Sequence, residues 1–436
     1  MSQASLFPVR SPTACLLKWG WSSLYIYTGQ SNSCHRTTQS ELTASDLPIF
    51  HNTPAKLEQR RIMAEGGWPA RGNGCEYCKD IEDAGGMSDR LANLALLEQG
   101  EEYRELIPPE LLSDPAALAV TPTMLEVYFT NRCNMACIYC GPNYSTQWVA
   151  ENKVHGVQPQ HTRSVSWETA RKLDREYPER LRRFWEWLEE HYAALRMLHV
   201  LGGEPFHQVE TEDTIRFFDA HPNPRLHLKI FSNLKVRPDR FRHLLGELKK
   251  LHDGGKCRSV GIVASLDCWG PPQEYVRHGL ELDNWTENYE HLVFEHPWAD
   301  VSINSTMNAL SIRAMPELVR RVRHWNDARA RIHHGAPGLR GLSLVFNLLT
   351  GPPFMHAGIF PEGFFDEEFA ELVELLPDDT PWARSNVEYM HGIWKTVNAT
   401  PHNPELIRTL KAYLDEIDRR RGLSWRAVFP WLVDVD

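Results

Sequence analysis

Tyr128-Phe129-Thr130-Asn131-Arg132-Cys133-Asn134-Met135-Ala136-Cys137-Ile138-Tyr139-Cys140 places three thiols at C-x3-C-x2-C, directly after the short apolar run Leu125–Phe129. Three closely spaced thiolates on one loop can hold three irons of a cubane and leave the fourth iron without a protein ligand, open to chemistry. The competing occupant is zinc, completed by a nearby His or Asp, although zinc knuckles use paired C-x2-C units.

Five further apolar runs follow the same pattern: Met197–Leu201, Leu226–Phe231, Val260–Leu266, Val301–Thr306 and Leu342–Leu348. Amphipathic stretches separate them at 167–194 (interrupted near Pro178), 211–220, 238–251, 285–295 and 315–334. Strands alternating with helices predict parallel βαβ units with right-handed crossovers, and hence a partial or full α/β barrel. In such barrels chemistry collects at the C-terminal strand ends. The second strand ends Leu201-Gly202-Gly203-Glu204-Pro205-Phe206. Two glycines permit close backbone approach of a ligand, and a carboxylate can accept hydrogen bonds from an ammonium.

The cysteine spacing, the aromatic Tyr139 before the last cysteine and the Gly-Gly-Glu-Pro segment one crossover later resemble radical S-adenosylmethionine (radical SAM) enzymes. The resemblance implies a partial (β/α)6 radical SAM barrel. It implies a 4Fe-4S cluster on Cys133, Cys137 and Cys140, with S-adenosyl-L-methionine on the open iron. Reductive cleavage of that ligand would give a 5′-deoxyadenosyl radical, which abstracts a substrate hydrogen. By the same resemblance Gly202, Gly203, Glu204 and Pro205 face the methionine amino group, and Tyr139 lies against the adenine. Ser232, Asn233, Ser265, Asp267 and Asn304, at successive strand ends, fall where the family contacts ribose, methionine carboxylate and adenine. Residue by residue, these last are also ordinary cap and turn formers.

Residues 1–95 carry four more cysteines among many turn formers and read as a small module needing a staple. Cys15 and Cys34 stand as C-x13-G-x4-C around Gly29, and Cys75 and Cys78 as C-x2-C. The pattern resembles the auxiliary-cluster module called twitch, or SPASM in its longer form, and implies a second 4Fe-4S cluster. Local logic predicts a hairpin of strands Leu16–Trp21 and Ser23–Tyr27 turned at Thr28-Gly29. Zinc uses the same four ligands. In the familiar enzymes the module follows the barrel, whereas here it precedes it. Cys257 and Cys268 read as small core or loop residues. A helix and linker are expected at 96–120, the barrel at 121–350, and a helical cap at 351–436 whose aromatic end, Trp425–Leu432, docks back on the strands.

The 436 residues are 42% apolar and 24% charged with net charge −10, an ordinary globular balance that argues against nucleic acid or anionic membrane as partner. The basic run Arg180, Arg182, Arg183 among glutamates reads as a solvated helix face. No stretch is long and apolar enough to span a bilayer, no secretory signal is visible, and the nine cysteines are too sparse for a disulfide scaffold. A cytoplasmic location is expected. The resemblance implies an electron donor such as flavodoxin or ferredoxin. It also implies a peptide or protein side chain as substrate, to be oxidised or cross-linked; a small-molecule dehydrogenase is the alternative. From another class, the rival is a zinc-stabilised, non-catalytic interaction protein. The sequence nominates no general base.

Overall fold

The computed structural model describes residues 6–43, 45–83, 85–158, 167–334, 339–377 and 381–435. The chain divides into two compact units, one of residues 1–131, 165–230 and 250–260, the other of 132–164, 231–249 and 261–436.

In the first unit the strands are β1 (Trp21–Tyr25), β2 (Gln30–Asn32), β3 (Ser40–Glu41), β4 (Met124–Tyr128), β5 (Met197–Leu201) and β6 (Asn223–Ser232), the last reaching into the second. They lie in the order β3-β2-β1-β4-β5-β6. β1 pairs antiparallel with β2 but parallel with β4, Trp21 opposite Met124 and Tyr25 opposite Tyr128. β4, β5 and β6 continue in parallel. The N-terminal segment therefore extends the parallel strands and shares their core, in which Phe7, Leu16, Trp19, Leu111 and Met124 are buried together.

Three expectations change here. Leu16–Gly20 is one helical turn, and the hairpin is built from β1 and β2. All five residues of that turn are buried, so no alternation of exposure marks them as strand or helix. The expected break near Pro178 is also absent, for Trp167–His191 is one helix running through it. Proline removes a helical hydrogen bond, and tertiary contacts offset the loss. Phe184 and Leu188 are buried, and Phe184 meets Phe129 edge-on at 5.4 Å. Arg180, expected to be solvated, is 2% exposed and donates from Nη1 to the Tyr27 carbonyl at 2.5 Å while pairing with Glu176. A Cβ on Gly29 would stand 2.8 Å from the Arg180 Nε, so this turn needs glycine for that approach as well as for its φ of +67°.

In the second unit β7 (Cys257–Ser265, beginning in the first), β8 (Asp300–Met307) and β9 (Ser343–Leu348) are parallel neighbours. β8 buries Val301, Ile303, Ser305 and Met307 in strict alternation, the period of a pleated strand. Leu282–Glu295 and Met315–Ile332 carry Trp285, Tyr289 and Trp325 into one aromatic cluster, with ring centroids 4.6 to 6.0 Å apart. All six expected parallel strands are present, and the chain is a mixed α/β protein with a parallel sheet. No helix among the described residues is long and apolar enough to cross a membrane.

Candidate functional sites: a cysteine loop and a four-cysteine cavity

The loop that follows β4 is held by contacts within the second unit. Ala136 and Ile138 donate backbone N–H groups to the carbonyls of His278 and Val276, both at 2.9 Å. Ser145 Oγ donates to Met135 O at 2.5 Å, and Trp148 Nε1 to Cys137 O at 2.9 Å. Tyr413, on the C-terminal helix Pro404–Arg421, donates its hydroxyl to Ile138 O at 2.5 Å. Replacing Tyr413 with Phe deletes that bond from a buried carbonyl. The expected cost is about 1 kcal/mol, read as a lowered denaturant midpoint with an unchanged slope.

The three loop thiols are half-buried. Burial pushes the Cys137 thiol up, with Arg277 and Arg421 pulling the other way, and burial with Cys137 as neighbour pushes Cys140 up to about 12. Metal uptake must therefore expel protons from this loop. Asn233 donates from Nδ2 to Asn134 Oδ1 at 3.0 Å and towards Cys133 Sγ at 3.8 Å. Ser232, just before it, accepts at Oγ from Leu234 N at 2.9 Å. Leu234 itself has φ +54°, an outlier for a bulky residue, and the buried Asn288 amide holds it through the carbonyls of Leu234 and Val236 at 2.9 and 2.7 Å.

Asp267, fully buried after β7, organises the rest of this site. Its Oδ2 accepts from Tyr139 OH at 2.7 Å and Arg277 Nε at 3.0 Å; its Oδ1 accepts from Arg277 Nη2 at 2.8 Å and Thr306 N at 2.9 Å. Four donors fill the lone pairs of one carboxylate. Asp267 thus fixes Tyr139 and β8, and its oxygens are committed to protein. Burial alone would lower Arg277, but Asp267, Tyr139 and Cys137 reverse that and hold its guanidinium well above the usual value. Burial also raises the Tyr139 phenol far above the ordinary range, so its proton stays in place to be donated to Asp267. Gln273 Oε1 accepts from Asp267 N and Cys268 N at 3.0 and 2.9 Å, which closes the turn. Ser265 ends β7 opposite Asn304 of β8, and the Asn304 side chain accepts from Asn347 Nδ2 at 2.7 Å.

In the first unit, Gly202-Gly203-Glu204-Pro205 follows β5. Gly202 (φ +91°) and Gly203 (φ +53°) turn the chain against β4, where a Cβ on Gly202 would meet Tyr128 Cα and Thr130 O at 3.1 Å each. Glu204 is fully buried and caps the short helix at 205–207 through Phe206 N at 3.0 Å. Gln208 Nε2 donates to Gly202 O at 2.6 Å. The segment is a pinned turn at a C-terminal strand end.

Also in the first unit, Cys15, Cys34, Cys75 and Cys78 line a single cavity with Lys18, Arg36, Arg90, Met63 and Trp68. All four cysteines are buried. The helical turn Leu16–Gly20 brings Lys18 N–H back onto the Cys15 carbonyl at 3.1 Å, and Arg36 N donates to Cys34 Sγ at 3.5 Å. Burial pushes the Cys75 thiol up, and the charge of Lys18 in the cavity wall pulls the other way. Without metal, burial keeps these thiols protonated, pushing Cys15 up to about 11 and Cys34 up to about 12, so a metal that binds here must expel their protons. The donor set fits a four-thiolate metal centre. The cavity is narrow, about 20 Å³, which is near the size of one water or ion. Among the described residues no three His, Cys, Asp or Glu side chains already stand at single-ion coordination geometry.

Gly74 makes this arrangement possible. Its φ is +86°, and a Cβ there would stand 2.0 Å from Arg36 O. Gly74→Ala must displace the Cys34-Arg36 or Gly74-Cys75 backbone, at a cost above about 1 kcal/mol. The expected result is a folded chain that no longer retains metal at this cavity, checked by metal content after desalting.

Cys257 and Cys268 are buried outside both cysteine sets. Arg277, Gln273, Asn134, Asn288, Trp148 and Tyr413 were not legible as site residues, and neither was Lys18. No family model matches this chain, and no curated protein sequence matches it. Among solved structures, it is similar to TYW1 with a lysine–pyruvate adduct bound, at 16% identity over 58% of this chain and 74% of that one, TM-score 0.29. It is also similar to Streptococcus suis SuiB bound to S-adenosylmethionine, at 12% identity over 74% of this chain and 69% of that one, TM-score 0.29. Likeness at that level carries no argument about this chain, whose own residues must carry it.

Proposed function

We propose that this chain is a radical SAM enzyme with an auxiliary metal centre at Cys15, Cys34, Cys75 and Cys78. The observation that carries the reading is the C-x3-C-x2-C loop after β4 combined with the pinned Gly202-Gly203-Glu204 turn after the next strand, β5. The reading brings with it a partial (β/α)6 barrel for β4 to β9, preceded by a twitch-like segment and followed by a helical one.

Cys133, Cys137 and Cys140 would hold a 4Fe-4S cluster, which with S-adenosylmethionine bound would supply one-electron reductive cleavage chemistry. The chain's own part is positioning. Asp267 and Arg277 fix the Tyr139 ring for stacking, and Asn233 supplies an N–H near the Cys133 sulfur. Gly202 and Gly203 admit a ligand to the backbone, and Glu204 supplies negative charge for an ammonium. The aromatic C-terminal segment, with Phe429 packed on Tyr275 at 5.3 Å, shields its part of the second unit from water.

By resemblance alone, the substrate is a peptide or protein side chain undergoing oxidation or cross-linking, with a small-molecule dehydrogenase as the second possibility. An electron donor such as flavodoxin or ferredoxin would serve the first cluster. For the auxiliary site the primary reading is a second 4Fe-4S cluster, and a single zinc ion, which uses the same four thiolates, is the second. Iron, sulfide and zinc analysis after anaerobic reconstitution tests the proposal, together with 5′-deoxyadenosine formation from S-adenosylmethionine and reductant. A colourless, zinc-loaded protein that forms no 5′-deoxyadenosine would overturn it in favour of a zinc-stabilised interaction protein.

A further inference from the structure

Three cations line the four-cysteine cavity, and they are not equivalent. Arg36 pairs with Asp89 at 2.8 Å, and Arg90 pairs with Glu82. Lys18 is 2% exposed, and among the described residues no carboxylate stands within ion-pair distance of it. Its ammonium donates to Ser33 Oγ at 3.1 Å and to Gln59 Oε1, and Lys18 lines the cavity together with Cys75.

Behind Lys18 the imbalance deepens. Lys56 and Arg60 are 3% and 0% exposed, and they too meet only neutral acceptors. Lys56 donates to Phe50 O at 2.6 Å and Ser31 Oγ at 3.0 Å; Arg60 donates to Lys18 O at 2.7 Å and to Asn52, His51 and Leu118. Burial, with repulsion from Arg60 and Lys18, pushes the Lys56 ammonium well below its ordinary value. Burying positive charge without an anion is expensive, so a fold that concentrates three cations here lacks a negative partner. Four thiolates around one Zn²⁺, or around a [4Fe-4S]²⁺ core, make a centre that is doubly negative overall.

We propose that Lys18 is the charge-compensating residue of a dianionic tetrathiolate metal centre at Cys15, Cys34, Cys75 and Cys78. The inference deepens the auxiliary-site reading and rests on it, but it holds for either metal because both centres carry the same net charge. Lys18 is a positioning residue here, acting on the metal through the charge it places in the cavity wall. Its ammonium is a burden on the metal-free protein and an asset to the loaded one.

That opposition gives the test. Lys18→Met keeps length and apolar stem while deleting the charge, and Lys18→Arg keeps the charge. The full chain is compared metal-free and reconstituted. Lys18→Met is expected to melt higher than wild type when metal-free, and to release metal to a chelator at least about tenfold faster when loaded, with Lys18→Arg close to wild type. Where the metal is iron, the one-electron reduction equilibrium of the site is also expected to fall about tenfold in Lys18→Met, about 59 mV more negative. Iron content with that shift, or zinc content with the faster release, identifies the source and supports the assignment. Unchanged release in Lys18→Met, or destabilisation of both metal-free and loaded forms, overturns it. If Cys75→Ser retains the wild-type metal content, the underlying four-cysteine reading fails instead.

Discussion

Cys133→Ala is expected to abolish 5′-deoxyadenosine formation, by at least about a thousandfold, or about 4 kcal/mol of barrier. Two cysteines on the loop cannot hold three irons, so the variant should also lose about four irons per chain. The lesion is local. Cys133 is half-buried, and the loop keeps its bonds through Met135, Ala136, Cys137 and Ile138. A circular dichroism spectrum like that of wild type therefore accompanies the loss. Cys75→Ala is the informative contrast. It removes metal from a cavity in the first unit, so cleavage of S-adenosylmethionine should stay measurable while product formation stops. Anaerobic assays with quantified 5′-deoxyadenosine distinguish the two variants. Undiminished cleavage in Cys133→Ala would remove the radical SAM reading. Equal cleavage and product in Cys75→Ala would remove the auxiliary role.

What the sequence made legible follows from the range of the interactions involved. The six parallel strands are local apolar runs bounded by turn formers, and β5 matches its expected bounds residue for residue. The cysteines are legible because their spacing is itself the signal. Lys18 is not, because a lysine inside Leu16-Leu17-Lys18-Trp19-Gly20 reads as the polar position of a strand. Only the helical turn and its burial turn that residue towards the cysteines. Arg277 and Tyr413 stay hidden for the same reason. Arg277 meets Asp267 across the short helix Pro271–Val276, and Tyr413 reaches Ile138 from 275 residues further along the chain. Pro178 misled in the opposite direction, since a local rule about proline gave way to the packing of Phe184 and Leu188 and the buried bonds of Arg180.

The buried Asp267–Arg277 pair should show the largest effect on stability. The Asp267 side chain is 0% exposed and that of Arg277 is 9% exposed, joined by two hydrogen bonds at 2.8 and 3.0 Å. Arg277→Met leaves a buried carboxylate with Tyr139 OH and Thr306 N as donors and no opposing charge. The expected loss is about 3–5 kcal/mol, read from urea unfolding of the metal-free protein. Adding Asp267→Asn should recover part of it, because an amide can still accept from Thr306 N and bond Tyr139 without needing a cation. A coupling of about 0.5–3 kcal/mol in the double-mutant cycle is expected, and additive losses would show that the pair is not coupled. The same substitution reaches the cysteine loop. Burial pushes the Cys137 thiol up and Arg277 is the first of the charges pulling it down. Removing that guanidinium therefore disfavours the thiolate, and reconstitution of the loop cluster should need higher pH in Arg277→Met than in wild type. Loading with an unaltered pH dependence would confine Arg277 to holding Asp267 and Tyr139 in place.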